Sequence, residues 1–199
     1  MQLPFFWINA FTDQMFTGNP AAVVPLAEWL PDERLQRIAR ENGLSETAFY
    51  VPTGPGRFAL RWFTPALEID LCGHATLAAA SALFHHLGQS GEQIVFDSRS
   101  GPLPVSRRGE RLELDFPSRP ATALDAAAVP PDLRPGLGGT PPAWIGRSRD
   151  LLCLYPAAAA VRALQPDFTR LARLDATGII ATAPGNDCDF VSEPSHSYG

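Results

Sequence analysis

The fold class predicted here is α/β (α+β), a curved sheet wrapped around one central helix, and three observations predict it. The run 68–87, EIDLCGHATLAAASALFHHL, contains a helix with no polar face: from Ala75 to Phe84 every position is apolar or small, Thr76 and Ser81 being its only hydroxyls. A helix apolar all round has to be enclosed, and its many alanines keep it thin enough for strands to close round it. The flanking segments alternate apolar and polar residues with period two, the mark of strands with one buried face. The order of elements late in the chain resembles the first half, so a repeated, pseudo-twofold architecture is expected.

In chain order, residues 5–11 read as a strand. The turn at Gly18, Asn19 and Pro20 leads into a second strand through Val23 and Val24. Pro31, Asp32 and Glu33 open a helix whose Leu35, Ile38 and Ala39 fall at helical spacing; Asn42-Gly43 stops it. Being amphipathic, this helix belongs outside the sheet. A turn at Ser45 enters a strand over 47–51, which puts Glu46 at a strand mouth. RFALRWF alternates, with Phe58, Leu60 and Trp62 on one face. After the apolar helix come QIVFD, PLPVSRR and RLELDF, three more strands, with Leu112, Leu114 and Phe116 facing inward. PSRPATA reads as a linker, so a first domain spans 1–117 and a second 118–199. In the second, a weak helix is expected over 124–128, a loop over PPDLRPGLGGTPPA, strands over 143–146 and 151–155, a helix over 157–164, and strands over 177–183 and 187–192.

Composition removes several functions. A net charge of −5 with no basic stripe argues against nucleic acid as a partner. All 16 basic residues are Arg, which excludes a pyridoxal Schiff base and a lysine-bearing phosphate loop. Cys72, Cys153 and Cys188 are an odd number without CxxC spacing, so neither a disulfide framework nor a metal site is indicated, and a reducing cytoplasm is the simplest setting. The N-terminus lacks a basic n-region, and the longest apolar stretch is too short and Pro-broken to span a bilayer.

Gly73 and His74 stand where the apolar helix begins. First-turn N–H groups have no intrahelical partners and favour an anion such as a carboxylate. The glycine lets a ligand approach the backbone, and the histidine adds a titratable group. Glu46 and His74 are the strongest catalytic pair, suited to proton transfer at carbon; Glu46 reads equally as a solvated turn carboxylate. Asn19 is a candidate substrate-binding residue, or an asparagine kept because it tolerates turn geometry. Glu68 and Asp70 could orient the site or simply face water. His85 and His86 complement the helix C-terminal dipole and are given no function. Cys72 reads as a buried structural thiol.

FTGNPAAVV, ENGLSETAFYVP and LRWFTPALEIDLCGHATLAAA, in that order, resemble the phenazine-biosynthesis PhzF-like proteins. The resemblance continues more weakly through ALQPDFTRLARLDATGIIATAPGNDCDFVS. It implies a diaminopimelate epimerase-like fold: two similar domains, each a barrel-like, mostly antiparallel sheet around a central helix. It also implies a cofactor-independent isomerase or epimerase, a homodimer, acting on a small carboxylate-bearing substrate. The family glutamate that shuttles the proton falls on Glu46, and the Gly-His motif on Gly73 and His74, where the helix start receives the substrate carboxylate. Cys72 matches an acid/base cysteine of the epimerase relatives, but members with CGH are expected to use the glutamate, so Cys72 carries no assigned catalytic role. After DFVS the family continues into a loop resembling EDPVTGSAH and a second central helix, whereas this sequence reads EPSHSYG. The second domain is therefore expected to be incomplete. The alternative reading is a non-catalytic binding module or an inactive fragment.

Overall fold

In the computed structural model, which describes residues 2–196 except the side chains of 193–196, the chain divides into two units, Met1–Phe116 and Pro117–Gly199. In the first, strands β1 (Phe6–Ala10), β2 (Asn19–Pro25), β3 (Thr47–Gly54) and β4 (Arg57–Phe63) are followed by the short β5 (Glu68–Ile69). Then come β6 (Gln93–Ser98), β7 (Gly101–Arg108) and β8 (Arg111–Leu114). They form one sheet in the order β1-β2-β3-β4-β6-β7-β8, with β5 beside β4. Two neighbours are parallel, β2–β3 and β4–β6; each is joined through a helix, as parallel pairing requires. The remaining pairs of this sheet are antiparallel.

The two crossover helices lie on opposite faces of the sheet, and strand alternation sorts the core accordingly. Helix α1 (Asp32–Asn42) buries Leu35 and Ala39 against Val24, Phe49 and Phe63. Gly43 ends it at φ 64°, the left-handed cap that glycine adopts freely. Helix α2 (Gly73–Ser81) packs on the residues one step out of phase, including Val23, Ala48, Tyr50, Leu60 and Trp62. Ala75, Ala78, Ala79, Ala80 and Ala82 are fully buried, as the missing polar face demands. Past Ser81 the helix widens into a π turn, Ala82–His86. Arg107 closes that end: its guanidinium stacks 4.9 Å over Phe84 and donates to the Phe84 carbonyl.

Enclosure of α2 is incomplete on one stripe. β1 and β8 end the sheet without pairing to each other, and between them lies a groove of 780 Å³ floored by Leu77 and Ser81 of α2 and His85 of the π turn, and walled by Ile8 and Leu112. Because β8 is an edge, Leu112 and Leu114 are only half-buried, and Phe116, expected to point inward, is 41% exposed.

The second unit has a five-stranded sheet, β13-β12-β11-β10-β9, built from β9 (Thr122–Ala123), β10 (Trp144–Arg147), β11 (Leu151–Leu154), β12 (Gly178–Pro184) and β13 (Phe190–His196). β10–β11 antiparallel, β11–β12 parallel and β12–β13 antiparallel repeat the pairing of β1 through β4. Residues 126–128 form a turn where a helix was expected. The expected loop instead contains helix α3 (Leu133–Leu137), whose Leu133 and Leu137 are buried. Pro135 and Gly136 hid it; Pro is tolerated in a first helical turn, and Gly136 lies against Leu171, where a Cβ would clash. Helices α4 (Ala158–Arg162) and α5 (Phe168–Leu171) add Val161 and Leu171 to the core around Tyr155. The helices described in this unit are four or five residues long, so no counterpart of α2 stands among the described residues.

Candidate active site

One end of the first sheet gathers the predicted residues. Glu46 precedes β3, and its carbonyl accepts a hydrogen bond from the Ala22 amide, 3.1 Å. On the same end β5 pairs with the close of β4, Phe63↔Glu68, so the chain turns through Asp70 to Cys72 and enters α2 beside Glu46. Cys72 is the residue before the helix; its carbonyl accepts from the Thr76 amide and hydroxyl, 3.2 and 2.6 Å.

The geometry brings Glu46 and His74 together. His74 Nε2 lies 3.1 Å from Glu46 Oε2, with side-chain exposures of 10% and 13%. The other ring nitrogen, Nδ1, lies 3.4 Å from Cys72 Sγ. The imidazole thus bridges a carboxylate and a thiol. A carboxylate and an imidazole this close and shielded from water are both placed to serve a carbon acid as base and acid. Burial, then the charge of Glu46, raises the Cys72 thiol above the usual range, against the His74 and Ala75 amides that lower it. Cys72 is therefore held as a thiol, not a reactive thiolate. One atom each from Glu46, Cys72 and His74 lies within 4.8 Å of the others, close enough for the three to share a metal ion.

Gly73 is where backbone meets solvent at the helix start, and the Phe116 ring lies against it: a Cβ at Gly73 would sit 2.7 Å from Phe116 Cζ. Sequence reasoning missed this ring because alternation along β8 assigned it to the core. Asn19 is exposed at the start of β2, at the same end of the sheet, three residues before the Ala22↔Thr47 pair. Glu68 and Asp70 do not face the pair. Glu68 forms a two-bond ion pair with Arg61, 2.7 and 2.8 Å, and meets Arg99 at 2.9 Å; Asp70 is 3.9 Å from Arg99. This arginine pair, which the sequence reading overlooked, tethers β5 and the turn leading to Cys72. His86 stacks on Phe6, ring centroids 5.5 Å apart.

Among the described residues no helix is long and apolar enough to cross a membrane. A family model described as "Phenazine biosynthesis-like protein" matches residues 8–192. An uncharacterized isomerase of Pseudomonas aeruginosa is 48% identical over 192 residues, covering 96% of this chain and 72% of that protein. A crystal structure of a PhzF-family phenazine biosynthesis protein from Enterococcus faecalis superposes with TM-score 0.89 at 42% identity, covering 99% of this chain and 74% of that one. A hydroxyproline epimerase from Agrobacterium vitis, 10% identical over 90% of this chain and 67% of that one, shares the fold with TM-score 0.57.

Proposed function

Since this chain belongs to the phenazine biosynthesis-like PhzF family, a family of isomerases, we propose that it is a cofactor-independent isomerase that moves a proton on carbon in a small carboxylate-bearing substrate. The observation that carries this reading is the buried Glu46–His74 contact of 3.1 Å at the start of α2. In it, Glu46 removes the proton and returns it at a neighbouring or inverted position, so one residue serves as base and then as acid. His74 holds the carboxylate side chain and shares the proton. The substrate's own carboxylate lies toward the first-turn amides near Gly73, where the helix dipole favours an anion, and Asn19 contributes at the rim. Phe116 covers Gly73 and has to move aside or stack on the substrate as it enters. A homodimer in a reducing cytoplasm completes the reading, with light scattering at several concentrations as the check on assembly.

The test is solvent exchange. Incubated in deuterium oxide with a panel of small carboxylates, the protein should exchange the proton at one carbon of its substrate. Glu46→Gln preserves shape, removes the base and should slow exchange by about 10²–10⁴-fold. Undiminished exchange by a folded Glu46→Gln variant would sink the assignment.

A further inference from the structure

We propose that Glu46, Cys72 and His74 form a coordination site for one thiophilic divalent cation of the zinc class, whose binding ties up the acid/base pair. The proposal uses side chains that the isomerase reading also uses, but it stands on donor geometry and not on turnover.

A thiolate sulfur, an imidazole nitrogen and a carboxylate oxygen are each zinc ligands, at about 2.3, 2.0–2.1 and 2.0–2.2 Å. Around a tetrahedral ion those bond lengths separate neighbouring donor atoms by about 3.3–3.6 Å. The protein holds Cys72 Sγ 3.4 Å from His74 Nδ1, already at that separation, whereas Glu46 Oε2 lies on the other side of the ring, 3.1 Å from Nε2. One donor from each residue falls within 4.8 Å of the others. Because an ion takes one ring nitrogen only, binding requires side-chain rotation that brings the donor on the far side of the ring round to that nitrogen. The backbone is already fixed: Cys72 and His74 flank the first residue of an enclosed helix, and the Ala22 amide anchors the Glu46 carbonyl.

Charge supports the same occupant. The isomerase reading gives Cys72 no role, yet it lies buried against the ring. On binding, the cation displaces the thiol proton: one S–H bond breaks, one metal–sulfur bond forms, and one proton leaves to solvent. Neutral His74 and the Glu46 carboxylate donate lone pairs, so nothing is oxidised or reduced. A dication facing one thiolate and one carboxylate leaves the buried cluster without net charge, which removes the cost of burying the anions alone. Three protein donors leave a fourth position for water or a carboxylate. The thiolate selects a zinc-class ion over magnesium or calcium, which take oxygen ligands.

Cobalt(II) titrated into the full chain tests this, because sulfur bound to cobalt gives a near-ultraviolet charge-transfer band. The expected result is a band saturating at one ion per chain, abolished by stoichiometric zinc and untouched by magnesium, with about one proton released per ion. Cys72→Ser should lose the band even though Cys153 and Cys188 remain. His74→Gln, which leaves the thiol in place, should weaken binding at least about tenfold. If Cys72→Ser does not fold by circular dichroism, His74→Gln decides alone. Absence of a band at saturating cobalt, a band that survives Cys72→Ser, or affinity unchanged in His74→Gln overturns the site. Since none of these readings needs turnover, loss of the metal site with Glu46-dependent exchange intact removes this inference only, and the converse removes only the isomerase reading.

Discussion

Gly73 shows how much one residue without a side chain can decide. Its place under the Phe116 ring leaves no room for a Cβ, yet the atoms in the way are the tip of a 41% exposed side chain, which can swing clear. Gly73→Ala should therefore change stability by less than about 1 kcal/mol, since any cost of moving the ring is offset by alanine's better helix propensity. The added methyl stands where a carboxylate would reach the first-turn amides, so affinity for carboxylate ligands should fall about tenfold, equivalent to about 1.4 kcal/mol. Thermal unfolding and isothermal titration separate the two effects; unchanged carboxylate affinity would remove Gly73 from the binding site.

Cys153, fully buried in the second unit, is raised from 9.0 to about 11 by burial, with Arg134 pulling weakly the other way. Its neutral thiol is the form the folded state prefers. Between pH 9 and 11 the unfolded chain has released this proton while the folded chain retains it, so stability falls as pH rises through that window, by on the order of 2–3 kcal/mol. Below pH 9 the contribution is complete. Urea denaturation from pH 8 to 11 should show a shallower alkaline loss for Cys153→Ala than for the wild type; parallel curves would contradict this.

At the scale of the element, α2 is unusual because its packing partners approach a helix made mostly of alanine. Ala79 is 0% exposed among strand residues, so Ala79→Leu inserts three carbons where no space exists. Overpacking of this kind costs about 1–3 kcal/mol, measurable as a lower denaturation midpoint. A neutral result would mean that the strands can move apart around the helix. The stripe Leu77, Ser81, His85 is the exception, facing the groove instead of a strand. Uniform apolarity over 75–84 spoke for complete enclosure, and it was right for the alanines. It carried no signal for the groove, because the gap depends on where β1 and β8 end in space and not on any property of α2. The arginines that tether β5 were equally hidden: Arg61 and Glu68 are seven residues apart and meet only because β4 and β5 pair.

For the whole molecule, the free margin of β1 is the exposed liability. Trp7, on a strand that ends its sheet, is 59% exposed, and Phe5 just before that strand is 48% exposed; such edges invite strand addition. Trp7→Lys should reduce concentration-dependent light scattering while shifting stability by no more than about 0.5 kcal/mol. Unaltered scattering would place the sticky surface elsewhere.

The mixed α/β class and the resemblance to the family were legible in the sequence, because periodicity, turn residues and short motifs are local properties written residue by residue. So were Glu46, Gly73 and His74 as candidates, through a strand mouth and a helix start. What only the tertiary structure decided is contact: that His74 lies between Glu46 and Cys72, that Phe116 covers Gly73, that Glu68 serves Arg61 instead of the site. Each depends on strand register and on how far the sheet curls before it stops. Those are set by the packing of the entire core around α2, so no local pattern records them.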